Sequence, residues 1–374
     1  MKKPVFSGIP LVKSSGIRSK PLNQRSVILF HSAIKSEKTK IGYDQILKKF
    51  KEYFIIKDYD SLIAIEPKKL QEMIEDYVLY NRSQNKSRSF VYMILSSLKL
   101  FFSMNDITLN WVKITKMIPE KTKSFNDKPY TTEQIKSILE HTGNIKFKAM
   151  INFMSASGVR IGSFEEMRIR DIEKFKDGSK LVKVYAESYE EYYTFIHAEA
   201  VKALEEYFEY RKKKGEKLTP ESWVFIKNNN PTLPITAHTA GSSLNRFITM
   251  ALDRKKTGLR FDNMTSHAFR KRFATVLKSN KEINLSISEK LMGHSTSVQL
   301  DNSYFKPQLE QLYEEYEKAI PDLVIEQTMK LKLELEKKNK QLSSLEVKER
   351  RIEQLENALS RIENNMTELK SKLS

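Results

Sequence analysis

The chain has 374 residues, 30% of them charged, and a formal net charge of +18; this length allows two ordinary domains and an extension, and this charge favours a polyanionic partner, either nucleic acid or an anionic membrane. The absence of cysteine excludes disulfides, thiolate metal sites and a cysteine nucleophile. No run approaches the ~20 apolar residues of a membrane span, and Met1-Lys2-Lys3-Pro4 opens no signal-peptide core, so a cytoplasmic protein without a membrane partner is expected.

The charge is concentrated at the start: residues 1–128 hold 24 Lys and Arg against 12 Asp and Glu, while 129–322 carry a net +4 and 323–374 a net +2. The first third reads as the main electrostatic grip, although solvated surface lysines would give the same count. Residues 1–30 mix Gly, Pro, Ser and Lys without periodicity and read as a flexible basic arm. After Ser36, Tyr43, Ile46, Leu47, Phe50, Tyr53 and Phe54 recur at three- and four-residue spacing, the stripe of an amphipathic helix. Two more helices are predicted, one after Pro67 through Leu70, Met73, Ile74 and Tyr77, the other through Val91, Ile94, Leu95, Leu98 and Phe102. The polar run between them, Asn81 to Ser89, suits phosphate contact and a solvated loop equally. Residues 31–118 therefore form a small helical domain, and Pro119 to Pro129, basic and closed by prolines, reads as an interdomain linker.

A second domain, residues 130–320, opens on Thr131 to Gln134, a capping-box pattern, with Gly143 at the end of that helix and a further helix from Lys146 to Ser157. Ile172–Phe175, Leu181–Tyr185 and Tyr192–Ile196 are short β-prone runs, separated by Asp177-Gly178 and Glu187–Glu191, and predict a small antiparallel sheet. The fold class is thus mainly α with a small antiparallel β-sheet.

Three motifs carry chemistry. In Ser157-Gly158-Val159-Arg160-Ile161-Gly162, Gly158 allows a tight turn and Arg160 falls at the start of the next helix, where backbone donors and a planar guanidinium suit a phosphate. In His267-Ala268-Phe269-Arg270, preceded by Thr265-Ser266 as a plausible N-cap, His267 and Arg270 share one helix face while Phe269, Phe273 and Val276 form the core stripe. Leu291-Met292-Gly293-His294 reads as a helix ending at a glycine, with Tyr304 ten residues further on.

Together these resemble the tyrosine recombinases, the lambda-type integrases, Cre and the XerC/XerD enzymes, over roughly Ser36 to Pro307. The resemblance implies a two-domain DNA clamp, a helical core-binding domain plus a catalytic domain, closing around double-stranded DNA. It implies that Arg160 and Arg270 bind the nonbridging oxygens of the scissile phosphate, that His267 and His294 hydrogen-bond it and assist proton transfer, and that Tyr304 is the nucleophile. Two guanidiniums can stabilise the charge gathering on the phosphate oxygens without a metal, so no cofactor and no metal site are expected. The phosphotyrosine retains the bond energy of the broken diester, so strands rejoin without ATP. Self-association on DNA, as a synaptic tetramer, is implied by the same resemblance. A relaxing enzyme of the type IB topoisomerase class and a non-catalytic DNA tether remain as other readings.

The sequence departs from the family pattern at Ser163, where an acidic residue is usual, and at Glu187, where register places the catalytic lysine. The nearest lysines are Lys180 and Lys183. Lys183 is expected to protonate the leaving 5′-oxygen, because it lies inside its strand on the face opposite Val182 and Val184. The interval from His294 to Tyr304 is also one residue longer than the family pattern. In the tail, 323–374, Leu345, Ile352, Leu359, Met366 and Leu373 recur every seven residues, interleaved with Leu355, Ile362 and Leu369. This predicts a C-terminal coiled coil that aids self-association, with a helix packed back on its own domain as the alternative.

Overall fold

The computed structural model describes residues 24–120, 128–254, 256–257, 260–261, 265–294 and 307–373. Most of the expected linker and the segment holding Tyr304 lie outside the described residues. The chain divides into two compact units between residues 124 and 125.

The first unit is all helical: α1 (Arg25–Ser32), α2 (Glu37–Tyr53), α3 (Tyr59–Ile63), α4 (Pro67–Ser83), α5 (Arg88–Met104) and α6 (Trp111–Lys116). Local chemistry sets these boundaries. The side chains of Ser36, Asp58, Ser87 and Asn110 each accept a backbone N–H in the first turn of the adjoining helix, and Pro67 occupies the first turn of α4, where its missing N–H costs nothing. The periodic residues of α2, α4 and α5 meet in one core, with Leu70, Ile74, Leu98, Phe101 and Phe102 fully buried. The fold begins earlier than the expected end of the basic arm, because Phe30 of α1 is buried edge-on against Phe101. The polar run from Asn81 to Ser89 is mostly helix, with only residues 84–87 between α4 and α5. Within it, Arg82 and Arg88 donate to the carbonyls of Met117 and Pro119 and hold the end of the unit.

The second unit starts at α7 (Thr132–His141), whose capping box pairs Thr131 with Gln134 in both directions, and continues into α8 (Ile145–Ser157). Helix α8 is buried over nearly its whole length, which accounts for its weak amphipathic pattern. Strands β1 (Ile172–Lys174), β2 (Lys180–Val184) and β3 (Tyr192–Ile196) form an antiparallel sheet in the order β1-β2-β3, with Val182 opposite Thr194 and Lys183 opposite Tyr193. Then come α9 (Ala198–Lys213), the hairpin β4 (Ile226–Lys227) and β5 (Asn230–Pro234), α10 (Ala237–Ala251), and the short pair β6 (Lys256–Thr257) and β7 (Arg260–Phe261). The described helices end with α11 (Thr265–Ser279), α12 (Leu285–Leu291), α13 (Leu309–Leu323) and α14 (Gln327–Leu373). Thr265 is already helical, so it belongs to the first turn of α11 and does not cap it from outside.

The sheet separates two apolar clusters. Val182, Val184, Tyr192 and Ile196 face α8 and α9, whereas Leu181 and Phe195 face α11, α12 and α13 through Phe273, Leu277, Leu291 and Tyr316. Leu277 is buried in α11, and Val276 only partly so. The domain also ends later than residue 320. Leu323, Val324 and Ile325 are buried, Arg272 donates to the carbonyls of Asp322 and Leu323, and the Glu199 carboxylate accepts the N–H groups of Ile325 and Glu326. Beyond that clamp α14 runs as one helix whose Leu345, Ile352, Leu355, Leu359 and Ile362 are all more than half exposed.

Candidate active site

The site is built where three chain segments meet at Arg270. Helix α8 stops at Gly158, which takes the left-handed conformation (φ 63°). A β-carbon there would run into the ring of Phe273, so only glycine lets α8 and α11 approach this closely. The next residues are buried Val159 and exposed Arg160. Beyond Arg160 the chain makes a short 3-10 turn, Ile161–Glu165, and not an α-helix; Ser163 donates its Oγ–H to the Arg160 carbonyl at 2.7 Å. Ser163, where the family pattern has an acid, therefore holds the backbone of Arg160 and leaves its guanidinium without that carboxylate. Glu165 accepts the Ala237 N–H at 2.6 Å, a carboxylate at the start of α10.

Arg270 lies on the buried side of α11 with 5% of its surface exposed. One terminal nitrogen donates to the Gly158 carbonyl at 2.6 Å, and the other donates to the carbonyl of Met292, just past α12. A guanidinium has five N–H donors, so this still leaves three for other partners. Burial pushes the Arg270 pKa down, opposed first by the neighbouring Tyr192 hydroxyl, and the charge of Arg160 acts in the same direction as burial. An anion between the two arginines would relieve that repulsion.

His294 comes directly after Gly293, whose left-handed conformation (φ 59°) ends α12; a β-carbon there would strike the ring of Tyr192. The Nδ1 of His294 is 2.7 Å from a carboxylate oxygen of Glu289, which also pairs with Lys278 at 2.5 Å. Because a carboxylate only accepts, Nδ1 carries the proton and the neutral ring presents Nε2 as an acceptor. Burial lowers the His294 pKa, with the charges of Arg270 and Arg160 acting the same way, while the Glu289 bond raises it. His267 stands exposed in the first turn of α11, one turn before Arg270. Arg160, Arg270 and His294 are thus brought together, with Tyr192 and Tyr185 close enough to share their field. Tyr304 lies outside the described residues. Tyr313 is buried, its hydroxyl donating toward the Lys176 carbonyl and Ser179.

Residues 129–311 match the model of the phage integrase family. The second unit thus carries a phage integrase family domain. The chain is similar to the tyrosine recombinase XerC of Leptospira interrogans (serovar copenhageni), 25% identical over 306 residues that cover 76% of this chain and 88% of the relative. Among solved structures it is similar to the Tn1549 transposon integrase in complex with circular intermediate DNA (TM-score 0.51, 18% identity, 78% of this chain and 98% of that one). It is also similar to a lambda integrase dimer bound to a COC′ core site (TM-score 0.51, 17% identity, 76% and 97%).

The expected Lys183 stands apart from Arg270. Lys183 does lie on the face opposite Val182 and Val184, but Arg270 packs toward Tyr192, which shares the Val184 face. Lys183 instead lies beside Tyr193, its Nζ 5.8 Å from the ring centre. Lys180 pairs with Glu205 at 2.9 Å. The structure also adds residues that sequence reading passed over. Tyr192 read only as a strand aromatic; it is 8% exposed, and burial raises its pKa despite Arg270. Glu289, five positions before His294, had no periodic signal, because it reaches the imidazole only once α12 has ended. Among the described residues, no helix is long and apolar enough to cross a membrane, and no three His, Asp or Glu side chains converge as a metal site.

Proposed function

We propose that this chain is an integrase-type, site-specific tyrosine recombinase that cleaves and rejoins double-stranded DNA through a 3′-phosphotyrosine at Tyr304, with no metal and no ATP. The observation that supports it most is the position of Arg270, which binds the turn before Arg160 and the helix end before His294 with one guanidinium and so gathers the cationic groups around one point. In this reading Arg160 and Arg270 take the nonbridging oxygens of the scissile phosphate and stabilise the charge that builds on them. His267 and His294 hydrogen-bond the phosphate and take part in moving the Tyr304 proton. The Tyr304 oxygen attacks phosphorus, the 5′-oxygen leaves, and the 5′-hydroxyl of another strand later reverses the step. The two solved relatives named above are DNA complexes, and the basic first third of this chain fits the same partner. The helical first unit serves as the core-binding domain, and α14 assists association of protomers toward a synaptic tetramer.

The test is incubation of the full chain with a supercoiled library of candidate attachment sites, and then sequencing of junctions. Recurrent junctions at one sequence are expected, and relaxation at random sites would overturn the reading in favour of a topoisomerase. Tyr304→Phe should bind the recovered site and form no covalent complex on a nicked suicide duplex. An SDS-stable adduct from that variant would place the nucleophile elsewhere.

A further inference from the structure

Cleavage leaves an alkoxide unless the departing 5′-oxygen is protonated, and the β2–β3 turn, residues 185–191, contains no lysine to do it. Its carboxylates, Glu187, Glu190 and Glu191, are bases. Its tip, Tyr189, is fully exposed, which leaves one phenol at the base of the turn. Tyr185 has φ 54°, a left-handed backbone conformation that is rare for an aromatic residue and that occurs where the surrounding structure enforces it. The conformation has a geometric effect. Regular alternation would set the Tyr185 ring on the Lys183 face, but it packs instead against the cluster that holds Val182, Val184 and Tyr192, its ring centre 6.4 Å from that of Tyr192. The Tyr185 hydroxyl then lies 3.9 Å from where a β-carbon of Gly162 would stand, in the same turn as Arg160. Among the described residues that hydroxyl makes no hydrogen bond.

We propose that Tyr185, and not Lys183, delivers the proton to the 5′-oxygen when DNA is cut, an inference that rests on the strand-transferase reading above. As the bond from the Tyr304 oxygen to phosphorus forms, the bond from phosphorus to the 5′-oxygen breaks and its electron pair leaves with that oxygen, which takes the proton of the Tyr185 hydroxyl. The resulting Tyr185 phenolate is held beside the charge of Arg160 and takes the proton back from the attacking 5′-hydroxyl during rejoining. Burial raises the Tyr185 pKa more than Arg160 lowers it, so the group is protonated at neutral pH, as an ammonium would be.

The experiment is single-turnover cleavage by the full chain on nicked suicide duplexes of the recovered crossover site, with oxygen or sulfur as the 5′-bridging atom; sulfur leaves without a proton. Tyr185→Phe is expected to lose about 100-fold or more on the oxygen substrate, the scale of one general acid, and to cleave the sulfur substrate at close to the parent rate. Placing 3-fluorotyrosine at position 185, a more acidic phenol, should move the alkaline limb of the rate profile to lower pH on the oxygen substrate only. A Tyr185→Phe rate near the parent's on oxygen, equal loss on both substrates, or sulfur-selective rescue in Lys183→Ala would each overturn the assignment while leaving the strand-transferase reading intact. A parent chain that forms no adduct on either duplex would overturn both.

Discussion

Arg160 and Arg270 carry the same charge in very different surroundings, and this makes their roles separable. Arg160 is exposed, so Arg160→Lys should lose most cleavage, because an ammonium cannot reproduce the planar fork, while unfolding free energy stays within about 0.5 kcal/mol. Arg270 is buried and holds two carbonyls, so Arg270→Lys should lose cleavage and also about 2–3 kcal/mol of stability, the scale of charge-assisted bonds left unmade. Urea unfolding alongside single-turnover cleavage reads both; equal stability of the two variants would show that the carbonyl bonds contribute little. Glu289 gives a second test. Its carboxylate favours protonated His294, so Glu289→Gln should lower the His294 pKa further and keep the ring neutral to lower pH. The acid limb of the cleavage profile should then move to lower pH; a limb that stays in place would separate Glu289 from the proton transfer. At this scale the sequence was partly legible. Arg160, Arg270 and His294 stand in recognisable motifs because the chain order around them is regular, whereas Tyr185 acquires its position from one backbone angle that no side-chain pattern reports.

Among the elements, strands β1 to β3 and helices α7 and α8 match the expected runs closely, since turn residues and capping pairs are local signals. The end of the second unit was not legible, because residues 322–326 are held by Arg272 and Glu199, which lie far away in sequence. This changes where the tail can be cut. Removal of everything after Pro321 would delete Leu323 and its neighbours from the core, a loss of several kcal/mol, whereas a stop after Lys330 spares them. The stripe of α14 from Leu345 to Ile362 is uncovered, and a second copy of the chain supplies a matching stripe at the same seven-residue repeat. A chain ending at Lys330 is expected to stay folded and to sediment as a smaller species than the full chain. The same sedimentation behaviour for both, with and without DNA, would show that α14 does not join protomers.

For the whole molecule, the formal charge is spread unequally, with +12 of the +18 on residues 1–128. Binding of the full chain to duplex DNA should therefore weaken steeply with salt, by roughly one unit of log-log slope for each phosphate neutralised. Lys86 is exposed between α4 and α5, while Arg82 and Arg88 beside it hold backbone carbonyls. Lys86→Ala should flatten the slope by about one without loss of stability, and an unchanged slope would remove this loop from the interface. Two-unit organisation could be anticipated from helical periodicity giving way to strands across a proline-bounded basic stretch, but the point at which one unit ends could not, since packing and not composition sets it. The grip of Arg270 on Gly158 and Met292 has a consequence for synthesis of the chain. Its two partners lie 112 and 22 residues away, on opposite sides of it in sequence, so the charged centre cannot close until the ribosome has moved well past residue 292. A nascent or prematurely terminated chain that stops before residue 292 holds this arginine without one of its carbonyls, and the cluster of Arg160, Arg270 and His294 is withheld until most of the second unit has been made.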